Sequence, residues 1–348
     1  MALSASVLEL DVVATADAIA AQMRAQVQAL KRRGFVIGVS GGIDSSVCAT
    51  LAVRALGPKH VFLITMPEAD SSGRSEQLGR QLAAHLGAEV VKEDLEPSLR
   101  ALGCYERRDA AVRRVFPAYG AGWKMKIVLP EVAEGQLSYY SLVVETPAGE
   151  QQSQRLAVRE YLEIVACTNM KQRSRTLMEY FHADRLNYAV VGTPNRLEYD
   201  QGFFVKYGDS AADVKPIAHL YKTQVYAIAH GLGLPEAICA STPTTDTYSL
   251  AQGQDEFYWR LPYPKMDMCL YGKNHGLAAE DVAAAIGVPV RVVENAYKDI
   301  EQKRRTTRYL QLAPVLAEAV PEIGHELGPG EAGAPLPPGQ TVRHHRAL

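Results

Sequence analysis

Long apolar runs are missing from this 348-residue chain. No stretch approaches the roughly 20 residues that a membrane span needs, and the opening MALSASVLELDVVA has no basic segment ahead of an apolar one. The expected setting is therefore cytoplasmic, with no membrane partner. Cysteine is scarce: Cys48, Cys104, Cys167, Cys239 and Cys269 are odd in number, far apart and without a CxxC pair. That excludes a disulfide framework and a zinc cluster and leaves reduced thiols. Excess charge is also missing, since the formal net charge is -2. A near-neutral chain lacks the basic field that nonspecific nucleic-acid binding requires, so no nucleic-acid partner is expected. Two common nucleotide signatures are absent as well. No G-x-x-x-x-G-K-[ST] occurs, Gly272-Lys273-Asn274 lacking both the loop glycine and the hydroxyl, and no G-x-G-x-x-G follows a strand. Hydride transfer with a bound dinucleotide is thereby disfavoured.

What is present is an alternation. Residues 16 to 33 carry apolar side chains at helical spacing and stop at basic residues before Gly34. FVIGV then reads as a buried strand, SSVCATLAVRAL as a helix, HVFLITM as a strand, SEQLGRQLAAHLG as a helix and AEVVKEDL as a strand. A second instance follows, with QRSRTLMEYFHADRLN as helix, YAVVG as strand and YKTQVYAIAHGLG as helix. Strands alternating with helices of this length give an α/β fold with a doubly wound parallel sheet. Residues 104 to 150 break the rhythm. KMKIVLPEVAEGQLSYYSLVVETPAGE reads as two strands around a Glu-Gly turn, an inserted β-hairpin. From about 255 the chain is helical again. Residues 326 to 348, rich in Pro and Gly, read as a disordered tail after a single domain spanning 1 to 325.

The stretch GFVIGVSGGIDSS carries chemistry. Gly38, Ser40, Gly41, Gly42, Ser45 and Ser46 leave a strand and open a helix. Glycines let backbone N–H groups face an anion without a Cβ in the way, and a helix N-terminus adds a positive dipole end. The serine hydroxyls add donors. Asp44 would repel a phosphate unless a divalent cation lies between them, which points to Mg2+. The plain alternative is a strand-to-helix turn with a polar N-cap. In open sheets, ligands bind beyond the carboxyl ends of strands. Both glycine-ended strands, GFVIGV-SGG and YAVVG-TPN, aim their loops at that crevice.

SGGIDSS resembles the pyrophosphate-binding loop of the ATP pyrophosphatases, which split ATP into AMP and pyrophosphate to activate a carbon centre. Residues 169 to 224 narrow the resemblance. NMKQRSRTLMEY followed by VVGTPNRLEYDQGFFVKYGDSAADVKPIAHLYKTQV is similar to NAD synthase, whose members carry an N-x-K-x-R helix start, G-T-x-x-x-x-E, G-[FY]-[FT]-x-K-[YF]-G-D, a nearby Asp and P-I-x-x-L-x-K-x-Q. The resemblance covers roughly residues 30 to 100 and 165 to 305. It implies ATP as co-substrate, with Thr193, Thr244 and Lys222 beside the glycine loop, and Asp44 and Glu198 as Mg2+ ligands. Asp44 and Lys222 would be the catalytic pair. Arg173, Lys206, Asp213 and Lys303 would hold the acid substrate, deamido-NAD.

The chain departs from the family pattern at Gln302-Lys303-Arg304, where members write His-Lys, and at PTTDTYSLAQGQDEFYWRLPY, which replaces a shorter, more acidic segment. No nitrilase-like glutaminase domain is present, and Cys48 sits inside an apolar helix rather than in a nucleophile's setting. Free ammonia, or ammonia from a separate protein, is the implied nitrogen donor. A homodimer is implied by resemblance alone. His219 and His275 read as structural, and Tyr139-Tyr140 and Tyr258-Trp259 as packing. The implied activity is an ammonia-dependent, AMP-forming ligase that makes an amide. Its rivals are a related ligase acting on another carboxylic acid and a nucleotide-binding sensor without turnover.

Overall fold

The structure, a computed structural model, describes residues 3–128, 140–241, 247–250, 252–253, 258–259, 261–318, 320 and 322–323. Helix α1 (Val12–Ala29), its N-terminus capped by the Asp11 carboxylate on the Ala14 N–H, precedes the expected alternation. This runs β1 (Phe35–Gly38), α2 (Ile43–Leu56), β2 (Val61–Thr65), α3 (Gly73–Leu86) and β3 (Glu89–Lys92). Then come α4 (Glu96–Ala101), α5 (Cys104–Val115), the strands β4 (Lys124–Val128), β5 (Ser141–Glu145) and β6 (Gln151–Arg155), and the long α6 (Val158–Leu186). The remainder is β7 (Ala189–Val190), α7 (Arg196–Gln201), α8 (Lys222–Gly231), α9 (Glu236–Cys239), α10 (Tyr263–Asn274), α11 (Ala279–Ile286) and α12 (Val290–Gln311).

The main sheet is parallel, ordered β3-β2-β1-β7, and a parallel bridge from Val191 to Val214 extends it beyond β7. Period-two alternation explains why the central strands are apolar throughout. Phe35, Ile37, Val61 and Leu63 point into a core shared with α1, α2 and α8, whereas Val36, Phe62 and Ile64 point to the other face, against Ala183 of α6. The sheet is therefore covered on both sides, as a doubly wound fold requires. The strand order reverses between β1 and β7, and that switch point is where a crevice opens.

Two readings of the sequence are adjusted. The inserted hairpin is there, β4 pairing antiparallel with β5, but β6 adds a third strand past residue 150. The Glu134-Gly135 turn lies outside the described residues. Residues 104 to 115 form α5, which packs along α6 as part of the main body; Cys104 donates its thiol to the Cys167 carbonyl across that seam. The second adjustment concerns N-x-K-x-R. It does not start a helix: Asn169 to Arg173 lie in the middle of α6, because the apolar spacing runs back to Val158 without a breaking Gly or Pro. The tail beyond residue 325 lies outside the described residues. Among the described residues, no helix is long and apolar enough to cross a membrane. All five cysteines are free and buried.

Candidate active site

Two glycines, Gly38 at the end of β1 and Gly41 in the turn, shape the β1–α2 junction. Gly41 sits at φ 78°, a conformation costly for any L-residue, and a Cβ there would lie 2.9 Å from the Ser75 carbonyl. At Gly38 a Cβ would lie 2.3 Å from a carboxylate oxygen of Glu179. The hydroxyls divide. Ser45 accepts from the Ser40 N–H at 3.3 Å and stays on the cavity wall, whereas Ser46 donates to the Gly42 carbonyl at 2.8 Å inside the helix and does not reach the cavity.

The loop after β7 supplies the facing wall. Asn195 caps α7 by accepting from the Leu197 and Glu198 N–H groups, and Glu198 accepts from the Asn195 N–H in return. That capping box pins Glu198 in place. The Asn195 amide then donates across the crevice to Asp44 Oδ1 at 3.1 Å, joining the two loops directly. Lys222, the first residue of α8, is fully buried and its ammonium pairs with the other Asp44 oxygen. The start of α8 is itself fixed by Asp267 of α10, which accepts from the Lys222 and Thr223 N–H groups at 3.2 and 2.7 Å.

Electrostatics at this junction are short of positive charge. Burial, reinforced by the nearby Asp44 charge, pushes the Glu198 carboxyl up to about 8. Burial alone would lower the Lys222 ammonium, and the Asp44 and Glu198 carboxylates outweigh it, so its pKa lies above the usual lysine value. Two half-buried carboxyl groups facing one buried lysine suit an added cation. Mg2+ keeps several waters and takes only one or two protein carboxylates beside substrate phosphates. The donor set Asp44 and Glu198 fits that pattern, although among the described residues no cluster of three or more His, Cys, Asp or Glu forms an all-protein cage.

A cavity of about 850 Å³ extends from this junction. Its walls include Gly38, Ser40, Gly41, Gly42, Asp44, Ser45, Thr193, Glu198 and Lys222, together with Arg173, Lys206 and Lys303. The three cations are held from the protein side. Arg173 Nε donates to the Lys206 carbonyl at 3.2 Å, Lys206 Nζ to the carbonyls of Tyr309 and Leu312 at 2.8 and 3.2 Å, and Lys303 Nζ to the Tyr258 carbonyl at 2.6 Å. Asp213 is not brought to the cavity wall. Its carboxylate accepts from the Val190 N–H at 2.7 Å and from the Tyr180 hydroxyl at 3.4 Å, securing the short strand β7. Thr244 lies outside the described residues.

Other residues of the site escaped the sequence reading. Asn195, buried behind the wall, was legible as the first residue of an N-x-x-E capping box. Glu179, its carboxyl pushed up to about 8 chiefly by burial, had no local signal. Tyr140 and Tyr258, expected as packing, line the cavity, with Tyr140 stacked on Tyr161 at 4.4 Å between centroids. Trp259, 1% exposed, is packing as expected, and Tyr139 lies outside the described residues. His219 is half-buried, its imidazole lowered to about 4 chiefly by desolvation and then by Arg196, in keeping with a structural role.

A family model described as NAD synthase matches residues 15–114 and 136–309. Among curated proteins, the NH(3)-dependent NAD(+) synthetase of Rhizobium meliloti is 57% identical over 321 residues, covering 92% of this chain and 96% of that protein. The NH(3)-dependent NAD(+) synthetase of Thermotoga maritima is 36% identical over 264 residues, covering 74% of this chain and 87% of that protein. Among solved structures, NMN synthetase from Francisella tularensis superposes with a TM-score of 0.60 at 20% identity, covering 89% of this chain and all (100%) of that one. NH3-dependent NAD synthetase from Campylobacter jejuni gives a TM-score of 0.59 at 20% identity, with coverage of 89% and 100%. At that identity the structural likeness speaks for the fold.

Proposed function

The chain belongs to the NAD synthase family, and from that premise we propose how its own residues carry out an ammonia-dependent amide synthesis. It is an ATP-using, AMP-forming ligase that makes a C–N bond. A nicotinate carboxylate oxygen of deamido-NAD attacks the α-phosphorus of ATP, pyrophosphate leaves, and ammonia then adds to the acyl carbon. AMP departs with the original carboxylate oxygen, a proton is lost from nitrogen, and NAD remains. The observation that carries this reading is the Asn195–Asp44–Lys222 junction, which ties two strand ends and a third helix into one charged corner beside a glycine turn.

In that corner the glycine turn and the start of α2 present N–H groups to the triphosphate, with Ser40 and Ser45 adding hydroxyls. Lys222 neutralises charge that grows on the departing pyrophosphate. Asp44 and Glu198 would hold Mg2+, which when bound neutralises phosphate charge and orients the chain of oxygens. Arg173 and Lys206, with Lys303 held by its ion pair to Asp299, are the cavity cations assigned to a carboxylate and phosphates of the acid substrate. No protein nucleophile is needed, so positioning and charge stabilisation supply the rate. Purified protein given ATP, Mg2+, ammonium and deamido-NAD should form AMP, and a panel of other carboxylic acids should not replace deamido-NAD. Release of ADP instead would remove the reading.

Three further features belong to the same proposal. Ammonia arrives free or from a separate protein, and the reaction takes place in the cytoplasm. The active form is a homodimer, supported by a row of exposed apolar residues on α6: Leu162 at 57%, Leu177 at 69% and Phe181 at 54% exposure. Light scattering should give twice the chain mass for the wild type and the single-chain mass for a Leu177→Glu/Phe181→Glu variant. A monomeric wild type contradicts this part.

A further inference from the structure

Lys171 is a charged side chain that the mechanism does not use. It is 1% exposed, lies on α6 one turn from the cavity residues Thr168 and Arg175, and does not itself line the cavity. Its ammonium has three protons and spends them on three acceptors: Glu68 Oε1 at 3.1 Å, Asp70 Oδ2, and the Thr247 carbonyl at 2.9 Å. The acceptors come from two separate segments, and each contributes to the cavity wall. The loop after β2 supplies Met66, Pro67, Ser71 and Ser72 close to the glycine turn, and Thr247 follows directly on the segment that contains Thr244.

Each segment is also held from its far side. Helix α5 grips the first: Arg108 pairs with Asp70, while the Tyr105 hydroxyl donates to Glu68 at 2.9 Å and accepts from the Ala69 N–H at 3.2 Å. The inserted strand β4 grips the second. The Met125 N–H donates to the Ser249 hydroxyl at 2.9 Å, the Leu250 N–H donates to the Met125 carbonyl at 3.0 Å, and the Gln252 amide donates to the Ile127 carbonyl. Strand β4 falls in residues 115–135, the stretch that the family match leaves out. A buried ionic hub is weak as a source of stability, because desolvation offsets most of the attraction. Its geometry does something an apolar contact could not: one point charge fixes two loops relative to one helix.

We propose that Lys171 is a positioning residue for the ATP side of the cavity, and that the inserted strand β4 completes the brace by holding Ser249, Leu250 and Gln252 from the opposite side. The inference rests on the reading of this cavity as the ATP site. It gives the insertion a role in presenting a wall rather than in touching substrate.

The test is ATP binding with Mg2+, measured by calorimetry on the full chain without acid or ammonium, alongside hydrogen exchange of the 247–253 amides. Lys171→Met alone leaves Glu68 without its cation and Asp70 on Arg108 alone and risks misfolding, so Lys171→Met/Asp70→Asn, which keeps the net charge of the hub, is the main variant. Ser249→Ala, outside the ionic hub, is the second. Each should weaken ATP binding, about tenfold for the first and several-fold for the second, as loss of one or two hydrogen bonds allows. Exchange at 247–253 should quicken in both, while the KM for deamido-NAD at saturating ATP stays within about twofold. Unchanged ATP affinity in folded variants overturns the inference. So does equal weakening toward ATP and acid in step with lost thermal stability, which marks a merely structural role. A wild type that does not bind ATP overturns the reading of the cavity itself, and the inference with it.

Discussion

Asp44→Asn is expected to lower the rate of AMP formation by about two to three orders of magnitude, the usual cost of removing one well-placed electrostatic group. The substitution keeps size, so the effect should be chemical. In the wild type one Asp44 oxygen accepts from Asn195 and the other holds the Lys222 ammonium. An asparagine can keep the first contact, but it turns an NH2 donor toward an ammonium that also only donates. It also removes one of two carboxylates proposed for Mg2+. The residue lies in the first turn of α2, where loss of a negative charge costs the helix about 0.3 to 1 kcal/mol. The substitution also leaves the buried Lys222 ammonium without its carboxylate at a further cost of roughly 3 to 5 kcal/mol, so rates are compared at a temperature where circular dichroism shows the variant folded. Glu198→Gln should act in the same direction, while retaining the capping contact to the Asn195 N–H through its amide oxygen. Initial rates at saturating Mg2+ check both. Near-normal activity in either removes that residue from the ligand set.

Lys222→Met should do more, because it affects both chemistry and stability. The Lys222 side chain is fully enclosed and is the cation paired with Asp44, whose side chain is 17% exposed. Removing one partner of a buried pair costs roughly 3 to 5 kcal/mol, so the melting temperature should fall by about 5 to 10 °C. AMP formation should fall on the order of a thousandfold as the charge facing the departing pyrophosphate is lost. Lys222→Arg should not restore it, since a planar guanidinium does not fit a site shaped for a compact ammonium. The double variant Lys222→Met/Asp44→Asn separates the two effects. It should regain part of the lost stability without regaining activity. A folded Lys222→Met protein that still turns over at wild-type rate contradicts the role given to this residue.

The central strands β1 and β2 were legible because they are short and, Thr65 apart, apolar, and burial on both faces leaves little polar pattern to obscure them. The ATP corner was legible for a related reason. Its groups sit at strand ends and helix starts, where Gly, Ser, Asp and Asn have strong local preferences. The remainder depends on contacts distant in sequence. Strand β6, with the composition QQSQR and fully exposed, carries no apolar pattern and exists only because β5 offers an edge. Asp213 sits only seven positions after Lys206, yet its carboxylate serves β7 by accepting from the Val190 N–H, a contact that nothing in the local sequence marks. Lys171 and Glu68 are separated by 103 positions, and nothing local to either marks a buried pair. Tyr140 reads as packing until α6 brings Tyr161 against it.

The most direct test of the account follows an oxygen atom. Deamido-NAD labelled with 18O in the nicotinate carboxylate should transfer one label to AMP for each NAD formed, as mass spectrometry of the AMP would record. That result requires the carboxylate to have attacked the α-phosphorus, the step the Asp44–Lys222 corner is built to serve. Label appearing in pyrophosphate or inorganic phosphate, or NAD formed with unlabelled AMP, would contradict it.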